Sequence, residues 1–123
     1  MTEDYKTTLI RRTYRYALEI LKLIDVLGKK DFSSEVLLKQ LLRSATSIGA
    51  NIIEAQAASS RKDFVNFLNH ALKSANESKF WLGLLRDSGK ADKEKINILL
   101  QETTELAKIL GSSISTLKGK NKL

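Results

Sequence analysis

Three arginines stand within five residues near the amino terminus, Arg11, Arg12 and Arg15, and Tyr14 and Tyr16 are interleaved with them. A guanidinium group is a planar fork of donors that matches two phosphate oxygens at once. An aromatic ring between such forks offers a surface on which an unpaired base can stack. On a helix Arg11, Arg15, Lys22 and Lys29, spaced 4, 7 and 7, form one stripe with Arg12 beside it. These five residues are the candidate nucleic-acid contacts. The competing reading is a solvated helix face, partly balanced by Glu19 and Asp25. Tyr14 also falls on the apolar line read below as core.

Acid–base machinery is sparse by comparison. The chain has one histidine and no cysteine, so Ser-His-Asp and Cys-His systems lack parts. A di-iron site in a helical bundle needs Glu-x-x-His pairs, and His70 has Phe67 at that spacing. Glycines are isolated and form no phosphate-cradling loop. The residues therefore predict no catalytic set, no cofactor and no metal site: a protein that is not an enzyme. Glu54 and Glu77 pair with each other only if their helices face. Arg43, Arg61 and Lys73 are the favoured partners.

Lysine and arginine exceed aspartate and glutamate by seven, and 42% of residues are hydrophobic. A surplus of that size attracts polyanions but says nothing about fold. The start Met1-Thr2-Glu3-Asp4 is acidic where an export signal is basic. No apolar run approaches the roughly 20 residues that span a bilayer. The expectation is a cytoplasmic protein with no membrane contact.

Proline is absent, so nothing obliges a long helix to kink. Four segments carry apolar residues at alternating steps of three and four, the mark of one buried helical face. The first line is Ile10, Tyr14, Ala17, Leu21 and Ile24, stopped by Gly28. The second is Leu38, Leu41, Ala45, Ile48, Ile52 and Ala55, after a start signal at Ser33 and Ser34. The third is Phe64, Leu68, Ala71, Ala75, Ser78, Leu82 and Leu85, opened by Ser60 with Asp63 and closed by Gly89. The fourth is Ile96, Leu100, Thr103, Ala107, Leu110, Ile114 and Leu117, entered through Asp92. Helices are predicted over about 5–27, 34–57, 61–88 and 92–117, followed by a frayed basic tail over about 118–123. Short connections leave room only for antiparallel neighbours. The fold class is all-α: one domain spanning the chain, an antiparallel up-down four-helix bundle.

Beside its apolar line the second helix carries a polar seam of Gln40, Ser44, Ser47, Asn51 and Glu54, with Arg43 adjoining. The third answers with Asn66, His70, Lys73 and Glu77, and with Phe67, Ser74 and Trp81. Serine, asparagine and glycine are mediocre helix formers, and Gly49 in mid-helix costs roughly 1 kcal/mol against alanine. A freely solvated face has no need of them. Close packing onto another helix, or onto another subunit, accounts for them better.

These same residues carry a resemblance. The run Arg43-Ser44, Ser47-Ile48, Asn51-Ile52 and Glu54, then Ser60-Arg61, then Phe64, Phe67-Leu68, Ala71, Ser74 and Glu77 resembles bacterial four-helix-bundle proteins encoded by intervening sequences in 23S ribosomal RNA genes. It is also similar to the accessory variability protein of diversity-generating retroelements. The motif lies in helices 2 and 3; elsewhere the likeness is in helical pattern and length. The family usually places glycine after the helix 2 glutamate, where Ala55 stands here, so a sharp helix end is not expected there. The resemblance implies a protomer that assembles as a ring, commonly a homopentamer, with Arg43, Ser44, Ser47, Asn51, Glu54, Arg61, Ser74 and Glu77 as motif or interface residues. In the retroelement branch it implies a basic surface that engages RNA or DNA and a reverse transcriptase. It implies no catalytic residue. Two functions stay open: a nucleic-acid-binding module serving a nucleic-acid enzyme, and a structural or regulatory module whose partner is another protein.

Overall fold

All four apolar stripes wind into α-helices in the computed structural model, which describes residues 2–28 and 30–121, with side chains for 7–28 and 30–119. The helices are α1 (Thr2–Leu27), α2 (Phe32–Gln56), α3 (Arg61–Asp87) and α4 (Lys93–Asn121). No strand occurs among the described residues. At about 1.5 Å per residue each helix is roughly 40 Å long. Each packs on its chain neighbours, and α4 returns to α1, so the four stand at the corners of a square in chain order. The α2/α3 and α3/α4 sides are closely packed, and the α1/α4 side is the loosest.

Local chemistry sets the ends. The α1 stop is Gly28 at φ 61° and the α3 stop is Gly89 at φ 76°, a left-handed conformation that costs glycine nothing. Ser60 caps α3 by accepting the Asp63 amide at 3.0 Å, and Asp92 accepts the Lys95 amide at 3.1 Å. At α2 the cap is Asp31 rather than Ser33 or Ser34: its carboxylate accepts the Ser34 amide at 2.8 Å. That bond and the Lys90 ammonium, 3.3 Å away, hold the Asp31 carboxyl well below the usual range. With Ala55 buried, α2 runs on to Gln56. Of the segment read as a frayed tail, residues 118–121 are helical, continuing α4 beyond Leu117, which packs on the core, and 122–123 lie outside the described residues.

The core lines of α2, α3 and α4 lie where the periodicity puts them, with Val65 and Leu106 added. Helix α1 differs. Its buried line is Leu9, Thr13, Tyr16, Ile20 and Leu23, while Tyr14 is 66% exposed and Leu21 39%. The expected line is thus turned off the core by one position. Ile10 and Ile24 pack on its edge. Thr13 sits inside because Gly49 faces it: a Cβ at position 49 would stand 3.0 Å from Thr13 Oγ1. The mid-helix glycine thus marks a close approach of α1 to α2.

Candidate nucleic-acid interface

Rotation of α1 sorts its basic residues into two groups. Arg12 points along the seam toward α4, where its Nε and Nη2 donate to the two Glu102 carboxylate oxygens at 2.7 and 2.8 Å. This two-point bond, ahead of the charge attraction, raises the guanidinium pKa further and commits Arg12 to joining α1 and α4. Lys22 lies 3.1 Å from Glu19 on the same helix. Arg11 and Arg15 are exposed and have no ion-pair partner among the described residues. Tyr14, next to Arg15 in the chain and one turn on from Arg11, is exposed too. Lys29 lies outside the described residues. The continuous stripe of cations therefore reduces to Arg11–Tyr14–Arg15, with Lys22 partly neutralised two turns on.

Beneath this face Tyr16 is 2% exposed, and its hydroxyl meets Thr103 Oγ1 at 2.6 Å. Thr103 donates to the Leu99 carbonyl at 2.6 Å, so the tyrosine is the donor. Burial pushes the Tyr16 phenol up to about 12, against the opposing pull of Thr103 and Ser78. Glu102 and Thr103 give α1 its fixed rotation. Sequence reading missed their pairing with Arg12 and Tyr16, although the i, i+4 spacing of those two residues placed them on one side of α1.

The motif residues of α2 and α3 meet one another. Ser44 and Ser78 share a buried hydrogen bond of 2.8 Å, and Ser74 Oγ donates to Ser47 Oγ at 3.0 Å. Asn51 donates to both the carbonyl and the hydroxyl of Ser47 at 2.9 Å. Arg43 reaches Gln40 and Glu77, and Glu77 also accepts the Trp81 indole N–H at 2.9 Å. Small side chains let the two helices approach, and hydroxyls satisfy one another where water is excluded. The polar seam is thus a helix–helix contact inside the protomer. Glu54 and Arg61 are exposed at the far end and form no ion pair among the described residues. His70 is also exposed, on α3.

Four antiparallel helices, a polar α2/α3 seam and a basic, tyrosine-bearing outer face on α1 define a helical-bundle domain built on side-chain pairing between neighbours. By its sequence the chain belongs to the family of 23S rRNA-intervening sequence proteins, whose pattern it matches over residues 6–112. Its fold is similar to the crystal structure of a protein of unknown function from the S23 ribosomal protein family of Bacteroides thetaiotaomicron VPI-5482. The two are 41% identical, with a TM-score of 0.83 over 89% of this chain and 97% of the other. No curated protein matches. Among the described residues no helix is long and apolar enough to cross a membrane.

Proposed function

We propose that this protein is a non-enzymatic nucleic-acid-binding module that works as a ring of identical subunits, with five copies the expected number. The observation that carries the binding is Tyr14, 66% exposed on α1 one turn on from Arg11 and next to Arg15 in the chain, both arginines exposed and without an ion pair among the described residues. Arginine forks hold phosphates and an exposed ring stacks on a base, an arrangement suited to single strands or unpaired segments. Each protomer brings a net charge of +7, so a ring concentrates a field that one copy lacks. Exposed large apolar side chains on several helices support self-association. Sequence preference is slight, since no base-reading motif accompanies the arginines.

The test is a titration of labelled single- and double-stranded RNA and DNA at several salt concentrations. Log affinity falls with log salt by about 0.7 per phosphate neutralised on single strands and about 0.9 on duplex. Arg11→Ala with Arg15→Ala makes that slope shallower by about two phosphates' worth and weakens unrelated sequences equally. Arg12→Ala leaves the slope near the wild-type value, because Glu102 holds that guanidinium. Absence of binding at low salt, with the oligomer intact, defeats the nucleic-acid reading and promotes the protein-interaction one.

A further inference from the structure

Resting on the ring reading, we propose which surfaces meet: the groove between α1 and α4 receives the aromatic α2/α3 face of a second copy of this chain. Two cross-links, Arg12–Glu102 and Tyr16–Thr103, tie α1 to α4 at one level. Toward Leu27 and Asp92 the helices part around a groove of about 800 Å³. Leu23, Leu27 and Leu99 line it, and Val26 and Ile98 stand at its lips, 71% and 69% exposed. Two large aliphatic side chains left open across one groove are what a protein partner covers.

The rim identifies the kind of occupant. Both edges carry mixed charge: Arg12, Arg15, Glu19 and Lys22 on α1, and Asp92, Lys95 and Glu102 on α4, with Arg12 paired to Glu102 and Lys22 to Glu19. A polyanion in this groove would meet the carboxylates of Glu19, Asp92 and Glu102. A surface with an apolar centre and self-paired charges meets none of that repulsion.

The chain carries such a surface on the opposite side of the square. Val36, Phe80 and Leu84 are 39%, 59% and 39% exposed on the outer side of α2 and α3. The Phe80 ring stands edge-on to Trp81 at 5.1 Å, and Trp81 is anchored through Glu77 to Arg43 on α2. Nearby charges are already matched: Glu35 with Lys39 at 3.2 Å, Glu77 with Arg43, and Asp87 with Arg86 at 2.8 Å. One face is a concave apolar slot and the other a convex aromatic ridge.

Their level decides the assembly. The α1–α2 and α3–α4 connections lie at the same end of the bundle, and both faces sit beside that end. A copy placed alongside, its axis parallel to the first, brings ridge to groove without sliding along the bundle. Contacts between two different patches with no axial shift close into a ring when each neighbour is also turned about that axis, by about 72° for five copies, whereas a shift would propagate a filament.

Because the chain has no cysteine, the contact can be mapped directly. Ile98→Cys and Phe80→Cys are made in the full chain, separately and together, and treated with a short bis-maleimide. The double variant is expected to give a ladder of covalent multimers on a denaturing gel. Mixing the two single variants is expected to give dimers, and each alone none. A dimer from either single variant means that a patch meets itself, which overturns the proposal. No ladder from the double variant, with the oligomer intact by light scattering, overturns this contact and leaves the ring standing. Wild-type protein with the 13.8 kDa mass of one chain at high micromolar concentration overturns the ring reading and this contact with it. Val26→Glu with Ile98→Glu is expected to abolish assembly while helicity is unchanged, since both side chains are exposed in the protomer. An oligomer that survives that pair also overturns the contact.

Discussion

The Ser44 and Ser78 hydroxyls meet at 2.8 Å near the middle of the bundle, one from α2 and one from α3, both shut off from solvent. Each hydroxyl also reaches a carbonyl of its own helix, Ser78 that of Ser74 at 2.9 Å and Ser44 that of Leu41 at 3.3 Å. Across the core Tyr16 and Thr103 form a second buried pair from α1 and α4. Each helix thus contributes one hydroxyl to a polar layer, and among the described residues no buried side-chain polar atom lacks a partner. A layer satisfied in only one alignment fixes the rotation and level of its helices, because any slip buries an unpaired group.

Ser44→Ala removes one hydroxyl of the pair but leaves Ser78 bonded to its own helix, so the expected loss is about 1 kcal/mol in denaturant unfolding. Combined with Ser78→Ala the loss is smaller than the sum, with a coupling of roughly 0.5 kcal/mol or more. Strict additivity across the double-mutant cycle would show that the two hydroxyls do not support each other.

Gly49 carries the second prediction. Alanine is worth about 1 kcal/mol more than glycine in a helix interior. Here its Cβ would stand 3.0 Å from Thr13 Oγ1 and 3.3 Å from Thr13 Cβ. The hydroxyl is tied to the Ile10 carbonyl at 2.9 Å, and the Cβ cannot rotate away, so α1 itself must shift. Gly49→Ala is therefore expected to gain none of that stabilisation. Gly49→Leu is expected to lose about 1–3 kcal/mol as overpacking. Thermal unfolding of the two variants checks both; an alanine variant more stable than wild type by the full propensity difference refutes the close approach.

Tyr16 makes stability fall in alkali. Its phenol stays protonated in the folded chain up to about 12, whereas an unfolded tyrosine ionises near 10.0. The folded state then holds a proton that the unfolded state has released. The contribution is fully present below pH about 10 and is lost as pH rises toward 12, by roughly 2–3 kcal/mol over that window. Unfolding curves across that range measure it, and Tyr16→Phe flattens this part of the pH dependence. A wild-type curve no steeper than that of the phenylalanine variant contradicts the burial of an un-ionised phenol.

Most of the architecture could be read directly from residue spacing. Leu41, Ile48 and Ile52 on α2, or Ala71, Ala75 and Leu82 on α3, recur at three and four with no rival line beside them, and all are buried. Gly28, Gly89, Ser60 and Asp92 act within a few residues of themselves, so their roles as stops and caps are local chemistry. Helix α1 was ambiguous because it holds two helical rows. The row through Ile10, Tyr14 and Leu21 is the more apolar, while the one that faces inward passes through Thr13 and Tyr16.

By itself, then, the sequence determined four proline-free helices, their antiparallel order, the caps of α3 and α4, the glycine stops of α1 and α3 and the core faces of α2, α3 and α4, because periodicity and turn residues act over short distances. The tertiary structure alone decided which way α1 turns. Thr13 can be buried only because position 49 lacks a side chain, and Tyr16 only because Thr103 accepts its proton 87 residues away in sequence. The same rotation carried Arg12, which adjoins the basic stripe, to Glu102 and turned Tyr14 outward beside Arg15. Contacts of that kind join positions far apart in the chain, and no spacing rule within one helix can specify them.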